Sequence, residues 1–251
     1  MKFKLYIEYN GANYSGWQKQ GNAKSVQETL INSIKEAFRK TKGDPEFIDL
    51  QGAGRTDAGV HAIEQVAHLE CESMLAPEIL KMKINDELPS DINILNVEKA
   101  KNNFHARHSA KSRQYVYVIS KRRTAFEKRF VWWIKDELDI DKMKEAGKLF
   151  TGMHDFKLFS EKDREDKSTR CLLEKLEITE DENKIYIRIK ASHFLWKMVR
   201  RIAGVLVESG RGNINPEHIE ILLKAGDLTG TINPAKCTAP PSGLFLEKIY
   251  Y

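Results

Sequence analysis

From Lys2 to Tyr9 apolar and polar residues alternate, so that Phe3, Leu5, Ile7 and Tyr9 share one face, as in a half-buried strand. The period then lengthens. Val26, Leu30, Ile34 and Phe38 recur at four-residue steps behind Ser25 and Glu28, which have capping-box spacing, and this predicts a helix. Residues 64–71 read as a strand. Pro77 opens a helix through Ile79, Leu80 and Ile84, as proline at the first helical turn allows. Ile92 to Val97 reads as a further strand. The resulting β-α-β-α-β order is what a split βαβ unit in an α+β fold gives.

The order recurs in the second half. Arg113 to Ser120 is a predicted strand with Tyr115, Tyr117 and Ile119 on one side, and Asp141 to Phe150 a short helix carrying Met143, Ala146, Leu149 and Phe150. Leu173–Ile178 and Ile185–Ile189 alternate as antiparallel strands joined by the acidic turn at Asp181-Glu182-Asn183. A helix is predicted over 193–209 with Phe194, Met198, Ile202 and Val205 inward. Asn215-Pro216 caps a last helix containing Ile219, Leu222 and Leu223, and Gly243 to Tyr250 closes as a strand. No sequence repeat relates the halves, so their likeness is architectural. The 251 residues suit one large domain or two small ones, and the expected division is 1–106 and 107–251.

Composition narrows the class. The apolar share of 41% is globular, no apolar run approaches the roughly 18 residues of a membrane span, and the start lacks a signal-peptide core. Cys71, Cys171 and Cys237 are odd in number and widely spaced, which suggests neither a disulfide framework nor a zinc site and fits a reducing cytoplasm. Net charge is only +5, but residues 99–130 hold ten Lys/Arg against one acid, Glu127; that window is +9 and the remainder −4. Concentrated positive charge is the footprint of a phosphate backbone partner. Phe104, Tyr115, Tyr117 and Phe126 are interleaved with it, and single-stranded bases stack on such rings.

The chemistry concentrates at Gly52-Ala53-Gly54-Arg55-Thr56-Asp57-Ala58-Gly59-Val60-His61-Ala62. Glycines free the backbone and leave room for a ligand, while a carboxylate kept ionised by a nearby cation can act as nucleophile or electrostatic catalyst. A generic stretch of this kind also serves as a tight turn whose Asp bonds its own backbone. Gly52-x-Gly54 lacks the Gly-Lys-Ser/Thr of a phosphate loop and the third glycine of a dinucleotide fold.

This string resembles the active-site loop of the tRNA pseudouridine synthase A family of pseudouridine synthases. The likeness extends to Tyr9-Asn10-Gly11, Tyr14-Ser15-Gly16-Trp17-Gln18-Lys19-Gln20, Leu88-Pro89-Ser90-Asp91-Ile92, Phe104-His105-Ala106-Arg107 and Arg113-Gln114-Tyr115-Val116-Tyr117. It continues through Gly152-Met153-His154-Asp155-Phe156, Met198-Val199-Arg200 and Thr238-Ala239-Pro240-Pro241-Ser242-Gly243. The resemblance implies two ferredoxin-like halves with mixed and antiparallel sheets and a cleft between them. It also implies a homodimer and isomerisation of uridine in the anticodon stem-loop of tRNA. That reaction neither oxidises, hydrolyses nor phosphorylates, so it requires no metal or organic cofactor. Another structured RNA, such as 23S ribosomal RNA, is the alternative substrate. An RNA-binding module without catalysis would share the basic window but leaves the Asp57 loop unexplained.

By the same resemblance Asp57 is the nucleophile, Tyr115 the active-site tyrosine stacked on the target uracil, and Arg200 the partner of the aspartate. A cation within about 4–6 Å lowers a carboxylate pKa by roughly 1–3 units. On spacing alone Arg200 reads equally as a surface residue, since Lys197, Arg200 and Arg201 share a polar helix face. Arg55 is expected to contact RNA and help hold a flipped nucleotide, whose extrusion costs a few kcal/mol. Arg107, Lys111, Arg113, Arg122 and Arg123 are the expected RNA contacts. Trp17 reads either as RNA surface or as core, and His61 as a structural histidine bonding backbone. His105 and His108 lack further residues at metal-ligand spacing. Three places depart from the family pattern: Asn10 in place of an acid, Ser209 in place of valine, and Asp227-Leu228-Thr229-Gly230-Thr231, which lacks an expected arginine.

Overall fold

A computed structural model describes residues 1–161, 168–224 and 232–251. Their contacts divide into two units, Met1–Lys111 with Phe245–Tyr251, and Ser112–Leu244. The fold class is α+β, as expected.

The first unit runs β1 (Lys2–Tyr9), α1 (Val26–Arg39), β2 (Glu46–Gly52), β3 (His61–Glu72), α2 (Pro77–Glu87) and β4 (Ile92–Lys99). β1 lies antiparallel between β4 and β3, and β2 is antiparallel to β3 on its other edge. The sheet order β4-β1-β3-β2 with two helices is the ferredoxin-like arrangement. Alternation in β1 sends Phe3, Leu5 and Ile7 into the core, where Val26, Leu30, Ile34 and Phe38 of α1 are also buried. Ser25 starts α1 by accepting a hydrogen bond from Glu28 N at 3.3 Å. β2 adds a strand the sequence pattern did not predict. It is an edge strand with a register shift between Phe47 and Asp49, and of its residues only Leu50 is buried.

The second unit runs β5 (Ser112–Ser120), β6 (Trp132–Trp133), α3 (Ile140–Leu149), β7 (Gly152–Asp155), β8 (Arg170–Glu180), β9 (Lys184–Ala191), α4 (Met198–Gly210) and α5 (Pro216–Leu223). β5, β9, β8 and β7 form consecutive antiparallel pairs, and β6 pairs parallel with β5. Asp181 shapes the β8–β9 hairpin, its Oδ1 accepting from the Asn183 and Lys184 amides at 2.8 Å each. Asn215 and His218 form a reciprocal capping box that starts α5.

α4 corrects the expectation of a helix from residue 193. It begins at Met198, because Lys197 holds φ = 63°, and a right-handed helix does not propagate through a left-handed residue. Phe194 therefore leaves the inward stripe and packs edge-on against the Tyr115 ring, centroids 4.9 Å apart. The last strand, β10 (Leu244–Tyr250), pairs parallel with β3 through Phe245–His61 and Leu246–Ala62. That pairing draws the C-terminal strand into the first unit, whereas the sequence division at 106/107 left it in the second. The Asp227–Thr231 departure lies outside the described residues. Among those residues no helix is long and apolar enough to cross a membrane.

Candidate active site

The Asp57 loop occupies residues 53–60 between β2 and β3. Exposure alternates along it: Arg55 is exposed, Thr56 is 7% exposed, Asp57 is half-buried and Ala58 is exposed. Thr56 thus pins the loop to the unit while its two charged neighbours keep more of their surface exposed. A turn closes behind the carboxylate, with Val60 N donating to Asp57 O at 3.1 Å.

The wall of the loop is the segment after β1. Trp17 N donates to Thr56 O at 3.1 Å and Gly59 N to Tyr14 O at 3.2 Å. Gly16 is required there: its φ is +97°, and a Cβ would sit 2.4 Å from Thr56 O. Trp17 is 1% exposed, so the core alternative is the one realised. His61 has the structural role expected of it, its Nδ1 accepting from Gly11 N at 3.0 Å while its ring stacks on Phe245 at 4.8 Å. Asn10 caps the short 3-10 turn after β1, its Oδ1 accepting from Ala12 N at 3.1 Å, a task a carboxylate would do equally. Tyr14 donates to Asp91 Oδ1 at 2.6 Å; burial, and then that carboxylate, raise its pKa and keep it a phenol. Arg55 is oriented by Gln18, whose Oε1 accepts from Arg55 Nε at 3.1 Å and whose Nε2 donates to Gln27 Oε1 at 2.8 Å.

In the second unit Tyr115 on β5 is 8% exposed, and Arg200 lies in the first turn of α4. Arg200 Nε donates to Ala239 O at 2.7 Å, and Ala239 N donates back to Arg200 O at 3.1 Å. The Tyr117 hydroxyl, its pKa raised by burial, donates to the neighbouring Pro240 O at 2.8 Å. The Ala239-Pro240 segment can lie this close because α4 has Gly204 beneath it, where a Cβ would fall 1.6 Å from Cys237 O. Sequence reasoning missed this bracket; a lone glycine in an apolar helical stripe ahead of a Pro-Pro pair was the available signal. It also misread Arg201 as part of a polar face. Arg201 is 7% exposed and donates through Nη1 to Ser160 O at 2.5 Å and Leu158 O at 3.4 Å.

The expected RNA contacts divide. Arg107, Lys111, Arg122 and Arg123 are exposed, whereas Arg113 is half-buried and donates to Ser192 O at 3.0 Å. Arg122 also donates to Asn183 Oδ1 at 3.1 Å. A groove of about 610 Å³ between the 122–127 loop and the β8–β9 hairpin has Arg122 and Lys184 as well as Glu127, Asp181 and Glu182 on its walls, a lining of mixed charge. The His68, His105 and His108 rings lie in series, tilted by 57° and 51°, with centroids 4.7 and 4.3 Å apart. Among the described residues no group of three or more His, Cys, Asp or Glu gathers to hold a metal.

An α+β scaffold with a single carboxylate in a clamped Gly-Arg-Thr-Asp loop agrees with the class that the sequence resemblance implies, the RNA uridine isomerases. The chain belongs to the tRNA pseudouridine synthase family, whose profile matches residues 5–109 and 146–251. Asp57, Arg55, Arg107 and Arg200 fall inside those stretches, and Lys111, Arg113, Tyr115, Arg122 and Arg123 between them. The chain is 38% identical over 250 residues to tRNA pseudouridine synthase A 2 of Clostridium perfringens, covering 99% of this chain and 98% of that one. It is 37% identical over 263 residues to tRNA pseudouridine synthase A of Thermodesulfovibrio yellowstonii, and 40% over 255 residues to that of Ehrlichia chaffeensis, each alignment covering 100% of both chains.

Proposed function

We propose that this protein converts uridine to pseudouridine in the anticodon stem-loop of tRNA, with Asp57 as nucleophile. The N1–C1′ bond breaks, the uracil turns, a C5–C1′ bond forms, C5 loses a proton and N1 gains one, so the reaction is an isomerisation. Asp57 traps or stabilises the sugar, Tyr115 stacks on the base, and Arg200 supplies the guanidinium that favours the ionised carboxylate. Arg55 holds the extruded nucleotide, and Arg107, Lys111, Arg113, Arg122 and Arg123 contact the RNA. Arg113 does so least, since its guanidinium already serves Ser192 O.

The observation that supports this most is the clamp on the Asp57 loop. Backbone bonds from Trp17 and Gly59, together with the Gly16 approach, hold the backbone beside Asp57, while the residue itself stays only half-buried. A mere inter-strand turn needs no such wall. Relatives named for tRNA, aligned over essentially the whole chain, make ribosomal RNA the less favoured substrate. On the same family basis we read the protein as a cytoplasmic homodimer. The test is to map pseudouridines in total RNA from cells with and without the protein. Loss confined to the tRNA anticodon arm is expected; an intact anticodon arm with a lost ribosomal site would overturn the choice of substrate.

A further inference from the structure

Beneath the Asp57 loop lie two buried polar contacts that the reaction chemistry does not itself require. The Thr56 hydroxyl is 2.8 Å from the Tyr9 hydroxyl, at the end of β1. Gln65, fully buried on β3, donates through Nε2 to Gly54 O at 2.9 Å. Its Oε1 is buried and makes no hydrogen bond. The Thr56 and Tyr9 hydroxyls share one hydrogen bond, in which either can donate, and the Gln65 amide holds Gly54 O through a second. These two contacts grip the loop at Thr56 and at Gly54, so they bracket Arg55 and stop one residue before Asp57. Buried polar groups cost stability unless paired, and an all-apolar filling of this position would be the simpler way to support a turn.

We propose that Tyr9 and Gln65 are positioning residues for pseudouridine formation, fixing the backbone on both sides of Arg55 and thereby aiming the Asp57 carboxylate. This rests on Asp57 being the nucleophile. Neither side chain reaches solvent, so neither touches RNA; they act through Thr56 and Gly54. Misplacing a reacting group by about 1 Å costs up to roughly 100-fold in rate. Loss of either contact should therefore appear in kcat and not in KM for tRNA.

The experiment compares Tyr9→Phe, Thr56→Val, Thr56→Ser, Gln65→Met and the Tyr9→Phe/Thr56→Val double variant with the unmodified protein. It reads kcat and KM by tritium release from tRNA labelled at uridine C5, and Tm alongside. Tyr9→Phe, Thr56→Val and Gln65→Met should each lose about 10- to 100-fold in kcat with KM unchanged within twofold. Thr56→Ser should restore most of the rate, and the double variant should be no worse than the poorer single one, as Tyr9 and Thr56 share one hydrogen bond and their losses are not additive. Tyr9→Phe that folds with unmodified kcat would overturn the inference, as would rate losses that merely follow the folded fraction. Asp57→Ala in parallel separates the two claims. If it turns over fully, the nucleophile assignment fails; if it is inactive while Tyr9→Phe is fully active, only the positioning role fails.

Discussion

Gly16→Ala should damage catalysis more than folding. A Cβ at residue 16 would lie 2.4 Å from Thr56 O and 3.1 Å from the Asp57 carbonyl carbon, where ordinary contact begins at 3.4 Å. Relief of the first contact requires the Thr56–Asp57 backbone to retreat by about 1 Å, and the Trp17 N to Thr56 O bond goes with it. The alanine is also held at φ = +97°, a strain of roughly 1–3 kcal/mol, and the lost hydrogen bond adds about 1 kcal/mol. Together these give about 2–4 kcal/mol, or a Tm fall of roughly 5–15 °C for a chain of this size. Displacement of the carboxylate by about 1 Å predicts a kcat loss of up to roughly 100-fold. Measured below the transition, tritium release per folded molecule separates the two effects. If the folded fraction of Gly16→Ala turned over at the unmodified rate, the loop wall would not be positioning Asp57.

Three further outcomes follow from the same structure. Gly204→Ala places a Cβ 1.6 Å from Cys237 O, so the segment supplying Ala239 must lift, at a cost of about 3 kcal/mol; an unchanged melting curve would refute the close approach. His68 and His105 are held below their ordinary pKa near 6.5, first by burial and then by His105 and His108 respectively and by Lys2. Below about pH 6.5 the unfolded chain binds protons that the folded chain resists, so stability is complete above that value and falls on acidification. Tm should therefore drop between pH 7.5 and 5.5 and drop less in His68→Gln, and equal slopes would count against it. Replacing Arg122 and Arg123 with glutamine should reduce the slope of log affinity against log salt by about 1.4–1.8 if both meet phosphate, and an unaltered slope would remove them from the RNA surface.

Elements with strong periodicity were legible in the sequence. β1 shows its alternation, and α1 shows both its apolar stripe and its Ser25 cap. β2, β6 and β7 were not legible, since each is short or at an edge and buries little; β2 has Leu50 alone fully inside, and β6 is two residues long. The start of α4 was misplaced because left-handed Lys197 has neither the glycine nor the asparagine that usually marks such a position. At the site, motif resemblance pointed to Asp57, and the supporting contacts escaped it because they join residues far apart in the chain. Thr56 meets Tyr9 across 47 positions and Arg200 meets Ala239 across 39. Residue type also hid the fate of Arg201, a cation that the fold spends on the carbonyls of Leu158 and Ser160.

The most direct test of the central claim is single-turnover tritium release from C5-labelled tRNA by Asp57→Ala, with RNA affinity measured on the same preparation. The account predicts no detectable release and affinity within a few-fold of the unmodified protein. Release at the unmodified rate would contradict it.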